Sequence, residues 1–275
     1  MLSIIPAKPE NIGDALITDA RIRMISFTGG MKSGTEIIKK AGLKKVQMEL
    51  GSNSPVIIMD DAELGKAVKQ CVSGAFAAAG QNCIGVQRIY IMSPIYEAFV
   101  EKFVNETNKL KVGYHLEEEV DVGPIISEKE AIRIEKWITD AKSKGADMLT
   151  GGKRDGTALQ PTVLVNVPTH SIIDKEEIFG PVVSLYRVSS LNEAIEKANN
   201  VNYGLNAAIF TNNINHAFKA VKALCAGTVI VNDSTDYRID QMPFGGVKNS
   251  GLGREGIKHA IIEMTETKVV CFNLE

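Results

Sequence analysis

The sequence predicts an α/β protein, and three observations carry that prediction. Short β-branched runs alternate with stretches of helical period along all 275 residues. Glycine- or proline-bearing turns punctuate them at Gly29-Gly30, Gly123-Pro124 and Gly151-Gly152. An apolar share of 44% is enough to fill the core of one large domain or two modest ones.

The elements follow in order. Residues 23–28 read as a buried strand, Gly29-Gly30 as a turn and 32–41 as a helix, and 45–50 and 55–59 read as further strands. Asp60, with Glu63 three positions on, offers a capping box. Behind it Leu64, Ala67, Val68, Cys71, Ala75 and Ala78 recur at helical spacing, and Gly80 is the expected stop. A strand is expected near 88–92, helices at 95–110 and 128–144, and strands after Gly145 and at 162–167. Helices at 191–199 and 214–225 then alternate with strands at 207–210 and 228–232, and 267–274 reads as a β-rich tail.

Composition excludes several classes of function. The 31 basic and 33 acidic residues are mixed along the chain, for a net charge of −2, so no basic stripe invites nucleic acid. No apolar run approaches the roughly 18 residues a membrane span needs, and the first nine residues lack the pattern of a secretory signal. Cys71, Cys83, Cys225 and Cys271 lie far apart without CxxC spacing, which suits neither a disulfide framework nor a metal site. A reducing cytoplasm is the expected compartment.

Four places carry chemistry. Cys83, in Gly80-Gln81-Asn82-Cys83, falls past the end of a helix and before a strand, where a thiol is reachable as a nucleophile. Cys71 lies on the apolar face of its helix and reads as core, and Cys225 and Cys271 read the same way. Glu49 ends a strand beside Leu50-Gly51, where partial burial would raise its pKa towards that of a useful base. Gly29-Gly30 ahead of a helix is a phosphate-binding arrangement, although the full GxGxxG fingerprint is absent and an ordinary turn has the same pattern. Glu176 to Pro181 and Pro243 to Gly246 are tight turns that carry a carboxylate and an aromatic residue.

Taken in order, Phe27-Thr28-Gly29 with Gly34, Glu49-Leu50-Gly51, Gly80-Gln81-x-Cys83, Glu177-x-Phe179-Gly180-Pro181, Asn202-Tyr203-Gly204-Leu205 and Pro243-Phe244-Gly245-Gly246-x-Lys248-x-Ser250-Gly251 resemble the aldehyde dehydrogenase superfamily. The resemblance runs from Ile12 to Val270 and corresponds to the C-terminal half of such enzymes. It implies an open α/β sheet of the aldehyde dehydrogenase-like catalytic domain together with the last strands and helix of a Rossmann-type cofactor domain. The division it implies is 1–50 for the cofactor-domain remnant, 51–248 for the catalytic domain and 249–275 for a return segment and oligomerisation tail.

The same resemblance implies roles. Cys83 is the nucleophile that forms a thiohemiacetal and then a thioester, and Glu49 is the base that activates the hydrolytic water. Retention of Glu49 points to the hydrolytic branch rather than the CoA-acylating one. Glu177 and Phe179 lie at the nicotinamide end of NAD or NADP, Gly29 and Gly30 lie by the pyrophosphate, and Phe244 forms a wall of the aldehyde tunnel. Residues 233–242 line the entrance, where Arg238 either pairs with an acidic substrate or stays solvated. A small-molecule aldehyde and a homo-oligomer through the C-terminal strand are the implied partners. The second oxyanion donor of the family comes from upstream of Met1, so the isolated chain is expected to be inactive as a dehydrogenase. A truncated, non-enzymatic paralogue acting as partner or scaffold is the alternative, and a thiol esterase needing only Cys83 and Glu49 is a third reading.

Overall fold

The computed structural model describes residues 2–114 and 116–274. The chain starts with α1 (Pro9–Thr18), β1 (Met24–Thr28), α2 (Met31–Ala41), β2 (Lys45–Glu49), β3 (Ser54–Ile58), α3 (Leu64–Phe76), β4 (Val86–Met92) and α4 (Tyr96–Thr107). Next come α5 (Glu128–Ser143), β5 (Asp147–Thr150), the small hairpin β6 (Arg154–Asp155) and β7 (Ala158–Leu159), β8 (Thr162–Val165), α6 (Ile172–Lys175) and β9 (Val182–Val188). The last elements are α7 (Leu191–Asn199), β10 (Asn206–Phe210), α8 (Ile214–Ala223), β11 (Thr228–Val231), β12 (Gly251–Leu252) and α9 (Ile257–Met264).

Seven strands form the main sheet in the order β11-β10-β3-β4-β9-β8-β5, all parallel except the edge strand β5. A parallel sheet must bury both faces, and the period of two assigns each residue to one of them. Val56, Ile58, Ile89, Ile91 and Phe210 face one core, packed with Phe99 and Phe103 of α4 and Ile134 and Ile138 of α5. Ile57, Tyr90 and Ile209 face the other, against Leu191 and Ala194 of α7 and Ala220 of α8. A second sheet, β1-β2-β12, pairs β1 with β2 in parallel and β12 with β2 antiparallel, so the chain returns to its first sheet near its end.

Several expectations need correction. The helix after Asp60 is capped by Glu63, whose carboxylate accepts from the Lys66 N–H at 2.8 Å. The cap is thus three residues past the expected Asp60, whose neighbour Asp61 accepts from the Thr211 hydroxyl at 2.8 Å. That helix ends at Phe76, because Ala77 turns extended and Ala78 and Ala79 adopt left-handed backbone. Strand β1 is only half-buried, since it lies at the edge of its three-stranded sheet. Cys225 and Cys271 are exposed rather than core; α8 stops at Ala223, which puts Cys225 beyond its packed face. Residues 267–274 form no strand within this chain, and Val269, Val270, Phe272 and Leu274 are exposed. A strand exists only with a hydrogen-bonded neighbour, and among the described residues no sheet edge pairs with this segment. Among the described residues no helix is long and apolar enough to cross a membrane, and no cluster of His, Cys, Asp and Glu is placed to hold a metal ion.

Candidate active site

The two sheets meet at the end of β2. Glu49 is the last residue of that strand, in register with Thr28 on one side and Gly251 on the other. It is 5% exposed, and neither carboxylate oxygen has a hydrogen-bond partner among the described residues. Gly245 allows this burial: a Cβ there would lie 3.1 Å from Glu49 Oε1. Removing a carboxylate from water without a partner penalises its charged form. Burial first, and the Glu255 carboxylate second, push Glu49 up to about 8, against the pull of Arg254 and Arg238.

Cys83 stands in a loop that the chain holds firmly. Ala78 and Ala79 have φ of 51° and 55°, a conformation that costs an alanine about 1 kcal/mol. Gln81 offsets that cost by tethering the loop. Its amide donates to the carbonyls of Ala78 and Pro124, both at 3.2 Å, and its Oε1 accepts from the Ile126 N–H at 2.8 Å. A tight turn then closes around the cysteine, with the Gly85 N–H bonded to the Asn82 carbonyl at 3.1 Å. The thiol is half-buried and packs against Ile84, Leu205 and Phe244. Burial raises its pKa, followed by the Glu177 carboxylate, and Glu49 adds a smaller push the same way. Cys71, in contrast, is fully buried on α3 as expected.

Glu177 approaches from the loop between α6 and β9. Its Oε1 accepts from the Ser52 N–H at 2.8 Å. A Cβ on Gly51 would lie 2.3 Å from its Oε2, so only glycine leaves this carboxylate its place. Burial pushes Glu177 up to about 7, while the Ser52 N–H and Arg133 pull it down. Phe179, two residues on, is 39% exposed and has φ of 47°, an outlier for a bulky residue.

The remaining expected residues fall into two groups. Phe244 is buried, and its backbone exchanges hydrogen bonds with Glu255 at 3.1 and 2.6 Å. The Arg238 guanidinium lies 4.0 Å from the Phe244 ring centroid and 3.4 Å from the Glu255 carboxylate, so this cation is partnered rather than merely solvated. Gly29 and Gly30 sit where β1 enters α2. The Gly29 N–H is taken by the Glu49 carbonyl at 3.0 Å, whereas no side chain caps α2 at Gly30. Gln87, Arg133 and Glu255 also touch the site, and sequence reasoning passed over them. Gln87 had one signal: Gln-Arg in the middle of a run that otherwise reads as a buried strand.

The buried carboxylate has a consequence for stability. Folded Glu49 holds its proton up to about 8, whereas an unperturbed Glu releases it near 4.5. The folded state therefore binds more protons across that window, and stability falls as pH rises through it. Glu177 adds a slope of the same sign up to about 7. Glu49→Gln removes the larger cost. Above pH 8 it is expected to be more stable than the parent by about 1–3 kcal/mol, with a flatter decline in melting temperature, as a pH series of thermal scans would show. Equal melting temperatures at pH 9 would contradict the buried, unpaired state.

With this geometry in view, the comparisons identify the chain. The aldehyde dehydrogenase family model matches residues 1–270, and the chain belongs to that family. It is 49% identical over 263 residues to aspartate-semialdehyde dehydrogenase 1 of Pseudomonas canavaninivorans, covering 96% of this chain and 56% of that protein. Among solved structures, NADP-dependent glyceraldehyde-3-phosphate dehydrogenase from Bacillus halodurans, complexed with NADP, superposes with a TM-score of 0.95 at 40% identity over 98% of this chain and 57% of its own. Betaine aldehyde dehydrogenase from Staphylococcus aureus, in complex with NAD+, gives 0.91 at 35% identity over 94% and 53%. The α/β fold is therefore that of the aldehyde dehydrogenases, and the chain spans about half the length of the relatives it matches.

Proposed function

We propose that this chain carries the acyl-transfer chemistry of an NAD(P)-dependent aldehyde dehydrogenase, which oxidises a small aldehyde to a carboxylate through a thioester on Cys83. The observation that supports it best is the setting of the thiol: half-buried, backed by Phe244, and within the electrostatic influence of both Glu177 and Glu49. In this reading residues 1–50 belong to the cofactor domain, 51–248 to the catalytic domain and 249–275 to the return segment and an oligomerisation tail.

The residues fit a nicotinamide nucleotide. The space that a Gly51 side chain would fill is kept for the Glu177 carboxylate, which the Ser52 N–H orients to receive ribose hydroxyls. Phe179 would pack at the same end, and Gly29 and Gly30, with the uncapped start of α2, would lie by the pyrophosphate. When bound, NAD or NADP supplies the hydride acceptor that makes the step from thiohemiacetal to thioester possible.

The remaining chemistry belongs to side chains of this chain. The Cys83 sulfur attacks the aldehyde carbon, a C–S bond forms, and the carbonyl electron pair moves onto oxygen, towards the Cys83 backbone N–H. In the later hydrolysis Glu49 takes a proton from water as the water attacks the thioester. The C–S bond breaks, the carboxylate product forms, and the sulfur leaves as thiolate. Both groups rest protonated at neutral pH, because burial raises each. Turnover needs their deprotonated forms, so the rate is expected to rise with pH through about 8. Steady-state turnover of a nitrophenyl ester, which uses only Cys83 and Glu49, measures this. Turnover that falls between pH 7 and 9 would refute the assignment.

Arg238 is the proposed reader of an acidic aldehyde tail, since two of the relatives are named for acidic aldehydes. A charged pairing contributes about 1.5–3 kcal/mol. Arg238→Ala should therefore lower kcat/KM for an acidic aldehyde about tenfold or more relative to a neutral one, in the whole enzyme. An unchanged ratio of the two would dismiss this reader.

A further inference from the structure

Ile178, the residue between Glu177 and Phe179, has both of its backbone polar groups bonded to side chains from distant elements. Its N–H donates to Gln87 Oε1 on β4 at 3.2 Å, and its carbonyl accepts from Arg133 Nη2 on α5 at 2.7 Å. The Gln87 amide donates in turn to the Ser52 carbonyl at 3.3 Å, and the Ser52 N–H donates to Glu177 at 2.8 Å. A closed ring of hydrogen bonds thus runs from the Glu177 carboxylate back to its own backbone.

Arg133 is the fixed point outside that ring. Its Nε pairs with Glu130 at 2.6 Å, and its guanidinium lies 4.7 Å from the Trp137 ring centroid. One edge of the fork is held by a carboxylate, one face by an aromatic ring, and an Nη2 N–H is aimed at Ile178. The same helix supports Gly180, two residues on, which packs so closely on Ile134 that a Cβ there would lie 2.5 Å from its Cδ1. The loop needs such support: Phe179 is left-handed, which costs about 1–2 kcal/mol, and any freer backbone would relax it.

We propose that Arg133 is a positioning residue, which clamps the Ile178 carbonyl and thereby fixes the directions of Glu177 and Phe179. This rests on the reading of those two residues as nicotinamide-end contacts, but the geometry it asserts is tested without turnover. The cation also faces Glu177 electrostatically and favours its ionised form.

The experiment compares Arg133→Met and Arg133→Lys with the parent by amide hydrogen exchange. Arg133→Met is expected to speed exchange at residues 177–180 by about tenfold to a hundredfold, the loss of one charge-assisted bond, while β9 keeps its protection. Arg133→Lys, with a single ammonium and no planar fork, should recover part of the difference. Trp137 is the sole tryptophan, so a change in its emission in Arg133→Met reports loss of the stacked cation directly. The Glu177 titration, read through the pH profile of Cys83 alkylation and absent in Glu177→Gln, should move upwards in Arg133→Met and return towards the parent value in Arg133→Lys. If Arg133→Met folds poorly, Glu130→Gln, which frees one edge of the fork, should give a smaller acceleration at the same amides. Unchanged exchange at 177–180, or loss spread evenly through β9, would overturn the proposal. Failure of the ester burst would instead count against the acyl-transfer reading alone.

Discussion

Cys83→Ala is expected to lower nitrophenyl ester turnover by at least about 10³-fold, since removing a covalent nucleophile leaves only binding and oxyanion contributions. Glu49→Gln should separate the two halves of the same reaction. The sulfur is still present, so an initial burst of nitrophenolate survives. Its release then stalls by about 10²–10⁴, the usual contribution of a positioned base. Mass spectrometry of quenched Glu49→Gln should find one acyl group, and digestion should place it on the peptide that carries Cys83. The alternative thiols make the test sharp. Cys225 and Cys271 are exposed, and Cys71 is sealed in the core with its pKa raised by burial. Cys83→Ala retaining a burst of full amplitude would assign the chemistry to one of the exposed thiols and remove the proposed mechanism. Cys225→Ser with an unchanged burst is the matching control.

How far the sequence could be read depended on the range of the interactions involved. The apolar runs of β3, β4, β8 and β10 announced themselves, because strands buried on both faces need little beyond local apolar content. Strand β9 was not legible, because Ser184 and Arg187 interrupt its apolar run directly after the Gly180-Pro181 turn. Helices α1 and α9 bury no residue at all, so no core-facing stripe marked them. Cys83 was separable from Cys71 by helical phase alone. The expectation for Cys225 failed because it assumed two more residues of α8 than the chain forms.

The support of the site was not legible, for a different reason. Gln87 meets Ile178 across 91 positions, and Arg133 meets the same residue across 45. No local pattern marks a side chain whose purpose is to bond one backbone group of a distant loop. The raised pKa of Glu49 was anticipated from its place at a strand end, but the influence of Glu255 was not. That carboxylate arrives only because Phe244 and Glu255 pair across a loop.

Arg88→Met is expected to cost about 3–5 kcal/mol, the largest loss of stability among single substitutions near the site. Arg88 is 1% exposed in the middle of β4, where an uncompensated charge would be ruinous. Its partners are dipoles rather than a carboxylate. The guanidinium donates to the Asn53 carbonyl at 2.8 Å and to its Oδ1 at 3.0 Å, to the Tyr90 hydroxyl at 2.8 Å, and to the carbonyls of Lys197 and Ala198 at 3.1 and 3.0 Å. The last two belong to the final turn of α7, where helical carbonyls lack partners and the helix dipole favours a cation. Methionine fills a similar volume but removes the donor from the Asn53 and Ala198 oxygens, each at a cost of about 1–3 kcal/mol before relaxation, while the Lys197 carbonyl keeps the Asn200 N–H and the Tyr90 hydroxyl at 3.3 Å. The damage should reach the site, because the Asn53 amide also donates to the Asp174 carbonyl at 3.0 Å, just ahead of the segment that carries Glu177. Arg187→Met is the control: that arginine pairs with Glu97 and lies over Tyr96 on an exposed surface, where such contacts contribute about 0.2–1 kcal/mol. Urea unfolding followed by circular dichroism measures both. A loss below about 1 kcal/mol in Arg88→Met would mean that these buried acceptors find water or other donors, and the reading of Arg88 as the tie between α7 and Asn53 would fall.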